Sequence, residues 1–127
     1  MRRNLAISAG ALTGAYLGFS ALMARGLTRV ERVPAQDTPA SVGLPYESVA
    51  FPSRVDGLAL AGWLIPPRVG GARRFPSDFG RSRWVTLVHG HSSNRAGAPT
   101  GALGLMRGLS DRGYGVLAFD LRGCGDS

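Results

Sequence analysis

Hydrophobic positions in this chain fall into blocks divided by polar breaks, and the first block differs in kind from the rest. Leu5 to Ala24 holds no charged residue over about twenty positions, which at the helical rise is enough to cross a hydrocarbon core of roughly 30 Å. Arg2 and Arg3 precede it, and Arg25, Arg29 and Arg32 follow it. Basic flanks at both ends leave undecided which side of a membrane the rest of the chain faces. A secretory signal would have a shorter apolar region closed by a small-x-small site, which Leu22-Met23-Ala24 fits poorly. Residues 1–27 therefore read as an uncleaved, single-pass membrane anchor with basic flanks. Ala6, Gly10, Gly14 and Gly18 recur every four residues on one helix face, the spacing that lets two helices pair closely in lipid. Glycine and alanine are also simply common in such segments.

The later blocks are short. Residues 28–43 read as a linker, because Val33 to Gly43 carries two prolines and no apolar periodicity. Tyr46 to Pro52 and Leu58 to Pro67 are strand-like runs on either side of Asp56-Gly57, a hairpin-turn signal. Pro66 to Ser82 has Pro, Gly, Arg and Ser without a period and reads as a surface excursion. Trp84 to Val88 is a continuous apolar run of the kind expected for a strand buried on both faces. Pro99 to Arg112 reads as a helix, with Leu103, Met106 and Leu109 on one face and Gly113 placed as a stop. Gly115 to Phe119 is a second apolar run, so the last third predicts a parallel βαβ unit and the fold class is α/β.

Charge changes the picture less than its size suggests. The chain has 15 Arg and no Lys against 8 acidic residues, a net charge of +7. Five of these arginines and Glu31 lie within the first 32 residues, giving +4 there and +3 over the remainder. Anionic lipid headgroups suit the first cluster. Arg68, Arg73, Arg74 and Arg81 fall in the Pro/Gly-rich excursion, Arg83 stands just past its end, and the group reads as a solvated loop rather than a nucleic-acid surface. One cysteine forms no intrachain disulfide, two histidines do not make a metal site, and the glycines near residue 100 lack the Lys-Ser/Thr of a phosphate loop.

The wording of two turns carries more information. His89-Gly90-His91-Ser92-Ser93-Asn94-Arg95 follows the first parallel strand, and Asp120-Leu121-Arg122-Gly123-Cys124-Gly125-Asp126-Ser127 follows the second. Together with the preceding hairpin, residues 44–127 resemble the N-terminal portion of the α/β-hydrolase family, in its group of serine esterases, lipases and S33-like peptidases. Cys124 departs from the pattern, since a histidine is usual there, and it does not read as a nucleophile.

The resemblance implies a partial hydrolase domain over 44–127 and a full-length relative that attacks an acyl carbonyl with a serine. It assigns the backbone N–H of His91 as one of two oxyanion donors, with Gly90 allowing the sharp turn, and implies no cofactor. His89 is expected to be structural, oriented by hydrogen bonds under the loop. Asp120 and Arg122 are expected to tie their loop together by charge-assisted hydrogen bonds. Gly90-His91-Ser92-Ser93-Asn94 approaches a nucleophile elbow, but Asn94 stands where glycine is wanted and no histidine follows His91. Ser92, Ser93 and Asn94 read instead as turn and helix-capping residues. The elbow, acid and histidine are absent from these 127 residues, so the chain as given is expected to be inactive. The rival expectation is a non-catalytic single-pass membrane protein that pairs through Gly10, Gly14 and Gly18.

Overall fold

The computed structural model describes residues 2–29, 32–75, 82–97 and 101–127, with the side chains of residues 2–9 outside the description. The chain divides into two compact units, Met1–Val30 and Glu31–Ser127.

The first unit is one helix, α1 (Arg2–Thr28), on which Leu12, Phe19 and Leu22 are exposed. Among the described residues no helix is long and apolar enough to cross a membrane, so the expected membrane span finds no support. The first five residues of that span, 5–9, lie outside the described side chains. From Gly10 onward the helix mixes Thr13, Ser20, four glycines and Arg25 with its apolar residues, which dilutes its hydrophobicity.

The second unit begins with a packed strap where a linker was expected. Pro39–Val42 forms a short 3-10 helix, and Gly43 closes it at φ 69°, a left-handed conformation that favours glycine. Leu44 N–H then donates to Pro39 O at 3.0 Å, and both Pro39 and Leu44 are buried. Sequence periodicity missed the strap because its apolar contacts are made by isolated residues rather than by a repeating face.

Four strands form the main sheet: β1 (Glu47–Pro52), β2 (Ala59–Ile65), β5 (Arg83–Val88) and β6 (Tyr114–Phe119), in the spatial order β1-β2-β6-β5. β1 and β2 are the expected antiparallel hairpin, with Glu47 opposite Leu64 and Pro52 opposite Ala59. β2 runs antiparallel to β6, and β6 runs parallel to β5 from Arg83↔Tyr114 to Val88↔Phe119, as the βαβ reading requires. Between these parallel strands lies α2 (Ala102–Asp111), whose first residue falls later than the expected Pro99, itself outside the described residues. Its face is the anticipated one: Met106 is fully buried against Leu44, Ile65, Val116 and Ala118, with Leu103 and Leu109 packed beside it.

Two strand expectations change. β5 was expected to be buried on both faces, yet Thr86 and Val88 are exposed, because β6 is its sole sheet partner among the described residues. Residues 66–75 are not a plain loop either. β3 (Arg68–Val69) and β4 (Ala72–Arg73) form a small hairpin around Gly70-Gly71, preceded by buried Pro66 and Pro67. Ser110 on α2 donates to Pro66 O at 2.8 Å and anchors the entry to this hairpin.

Candidate functional site

The parallel pairing brings the chain ends of β5 and β6 side by side, so the two turns singled out in sequence meet at one end of the sheet. His89 joins them. Its Nε2 accepts the Leu121 N–H at 2.9 Å, which requires that nitrogen to be unprotonated. The proton of the neutral ring is then on Nδ1, which lies 2.7 Å from Gly90 O and donates to it. The bonding that sequence anticipated for His89 is present.

This bond has a geometric consequence for the next residue. Gly90 C=O and His91 N–H belong to one planar trans peptide unit and point in opposite directions. Holding the carbonyl on the imidazole of His89 therefore turns the His91 N–H away from it. Among the described residues His91 N–H has no acceptor. Ser92 follows at φ 52°, the one non-glycine residue with positive φ among those described, so the loop carries local backbone strain at this point. His89 to Arg95, together with Leu87, Val88, Ala102 and Leu105, line an open cleft of about 510 Å³. Its mixed polar and apolar walls are of the kind that hold small ligands.

Beneath the loop, Asp120 is fully buried and supplied with donors on both carboxylate oxygens. Arg95 N–H donates to Oδ1 at 2.6 Å, Asp126 N–H donates to Oδ2 at 2.9 Å, and the Arg95 guanidinium closes the pair. The same guanidinium reaches Asp126 at 2.6 Å and lies 4.4 Å above the centre of the Trp63 ring. Ser127 completes the frame: its Oγ accepts Ala61 N–H at 2.9 Å and donates to Asp120 O at 3.0 Å. The second turn is thereby stitched to β2. Cys124 sits inside this frame, 5% exposed, with no disulfide partner.

Two expected roles move to other residues. Arg122 does not tie Asp120; it pairs with Asp56 of the β1–β2 turn at 2.7 Å, and Arg95 takes the inner position. Arg95 wins because it leaves the β5 turn directly over Trp63, whereas Arg122 stands largely in solvent. Nor do Ser92, Ser93 and Asn94 cap α2, whose N-cap is Gly101 without a side-chain bond. Asn94 is buried and its Nδ2 donates to Val33 O at 3.0 Å, fastening the strap to the loop. The bonds of Arg95 to Asp120 and of Ser127 to Ala61 escaped sequence reading because they join residues 25 and 66 positions apart.

No family model matches the chain. Among solved structures, the esterase Pf2001 of Pyrococcus furiosus superposes with a TM-score of 0.60 at 30% identity in each of three crystal forms. The match covers 79% of this chain and 34% of the esterase in one of them. Among curated proteins, the uncharacterized protein YfhR of Escherichia coli K12 is 36% identical over 81 residues. That alignment takes in 64% of this chain and 25% of YfhR, and the O157:H7 protein gives the same figures. The chain thus spans about a quarter of its curated relatives and about a third of the esterase. Its second unit has a hydrolase-like α/β fold that resembles an esterase.

Proposed function

We propose that residues 44–127 are the N-terminal part of a serine hydrolase that cleaves an ester or peptide acyl bond. In it the His91 N–H serves as an oxyanion donor on the turn that Gly90 permits. The likeness to the esterase carries this reading, and the pinned Gly90-His91 peptide supports the role of His91. A donor fixed in advance stabilises developing charge without reorganising during the reaction, which is the source of its catalytic value. His89 would act through the peptide plane, and the Asp120 frame would keep the two turns in register.

The 127 residues hold no Gly-x-Ser-x-Gly and no histidine beyond His91, so the same reading expects no esterase activity from them alone. Two measurements test it. Sequencing the DNA beyond codon 127 should reveal a continuing frame that encodes the elbow. In protein made from that frame, His91→Ala removes the imidazole and keeps the N–H, whereas His91→Pro removes both, so His91→Pro should lower kcat on a p-nitrophenyl ester by about 10²- to 10³-fold relative to His91→Ala, with little change in KM. An unchanged kcat removes His91 from the reaction. Hydrolysis by the 127-residue chain that is lost on Ser92→Ala would instead make Ser92 the nucleophile.

The uncharged stretch from Leu5 to Ala24 supports a further part of the proposal, that α1 holds the hydrolase unit at a membrane in single-pass fashion. Retention of the protein in membranes after carbonate extraction is the expected result. The rival reading, a non-catalytic protein whose helices pair through Gly10, Gly14 and Gly18, draws on the four-residue spacing of those glycines along one helix face. It expects Gly14→Leu to abolish crosslinked dimers.

A further inference from the structure

We propose that the β3–β4 hairpin and the arginines around it form a docking surface for an anionic lipid bilayer. This surface lies at the end of the sheet opposite the His91 loop. Ile65 at the end of β2 pairs with Val116 near the start of β6, so the chain leaving β2 arrives beside Arg83, Tyr114 and the last turn of α2. Arg68 and Arg73 face each other across the hairpin, and both reach the carboxylate of Asp111 on α2. Arg107 approaches the same carboxylate at 3.9 Å, so three guanidinium groups share one negative charge. Arg74, Arg83 and Arg112 continue from the same elements and are exposed. Among the described residues Asp111 is the one carboxylate that pairs with any of these six arginines, which leaves a strong positive excess.

Charge alone would suit any polyanion. The distinguishing feature is the apolar side chains set among the arginines: Val69, next to the Gly70-Gly71 tip, is 51% exposed, and Phe75 is 36% exposed. A surface that offers guanidinium groups to phosphates and short apolar side chains to the layer beneath fits the boundary between lipid headgroups and acyl chains. Guanidinium suits that role because it is weakly hydrated and binds phosphate through a planar fork. A nucleic acid would gain nothing from the valine, and among the described residues Phe75 is the one exposed aromatic side chain beside these arginines, too few for a stacking platform. Asp111 and Arg73 hold the hairpin against α2, so the tip is presented by a supported element.

The test uses the full chain and vesicles of phosphatidylcholine with or without phosphatidylglycerol, read by co-sedimentation at low and high salt. Arg68→Gln with Arg74→Gln, both exposed, should weaken partitioning onto the phosphatidylglycerol vesicles by about 25-fold, about fivefold per arginine, and leave phosphatidylcholine binding unchanged. Val69→Ser with Phe75→Ser should lower the binding that persists at high salt. Any contribution of α1 is common to all three proteins, so the differences report the hairpin surface. The proposal fails if the double arginine variant partitions within twofold of the wild type while its circular dichroism is unchanged. It also fails if the wild type binds duplex DNA more tightly than phosphatidylglycerol vesicles and the arginine variant loses that binding, because the surface then belongs to nucleic acid.

Discussion

Asp120 and Asp111 gather arginines at opposite ends of one sheet, yet the two clusters have opposite physical characters. At the Asp120 end the carboxylate is 0% exposed and Arg95 10%, and backbone N–H groups fill the acceptor positions that the guanidinium leaves open. At the Asp111 end the carboxylate is 34% exposed and Arg68 47%, and its partners among the described residues are all guanidinium groups. Water screens the second cluster and is shut out of the first. The same pair of residue types thus immobilises a loop in one place and builds a charged surface in the other; burial and backbone bonding decide between the outcomes.

The largest expected effect lies in the buried cluster. Asp120→Ala leaves the Arg95 guanidinium with Asp126 as its sole described carboxylate and removes the acceptors of two part-buried backbone N–H groups, and should cost about 3–5 kcal/mol in chemical denaturation of the chain. Gly125→Ala comes next, at about 1–3 kcal/mol. Gly125 has φ 48°, and an added Cβ would run into the Asp120 carboxylate. Ser127→Ala should cost about 1–2 kcal/mol by opening the bridge between Ala61 N–H and Asp120 O. Smallest is Asp111→Ala, at no more than about 1 kcal/mol, a difference that should fade in high salt. If Asp111→Ala destabilised the chain as much as Asp120→Ala, the contrast between the two ends would collapse.

What was legible in sequence was whatever repeats locally. The hairpin from Tyr46 to Ile65, the parallel strands and the Leu103-Met106-Leu109 face all announce themselves by alternation, spacing or turn residues. The wording of the two turns located the candidate site. The strap was illegible because Pro39 and Leu44 are buried singly, and the β3–β4 hairpin because strands of two residues have no period. Within the site, the hydrogen bonding of His89 was anticipated, whereas the partner of Asp120 was misassigned. Charge complementarity permits Asp120 either Arg95 or Arg122. The choice is made by Trp63, a residue on another strand, whose ring lies under only one of them.

The buried position of Cys124 has a practical consequence. As the chain's one cysteine, it lies 5% exposed within the frame built on Asp120, so an alkylating reagent can meet it only when that frame opens. Its labelling rate is therefore a clock for the opening of the loop, readable by mass spectrometry without any engineered probe. Each substitution around Asp120 can be timed against it, separating local loosening of the turn from unfolding of the whole sheet.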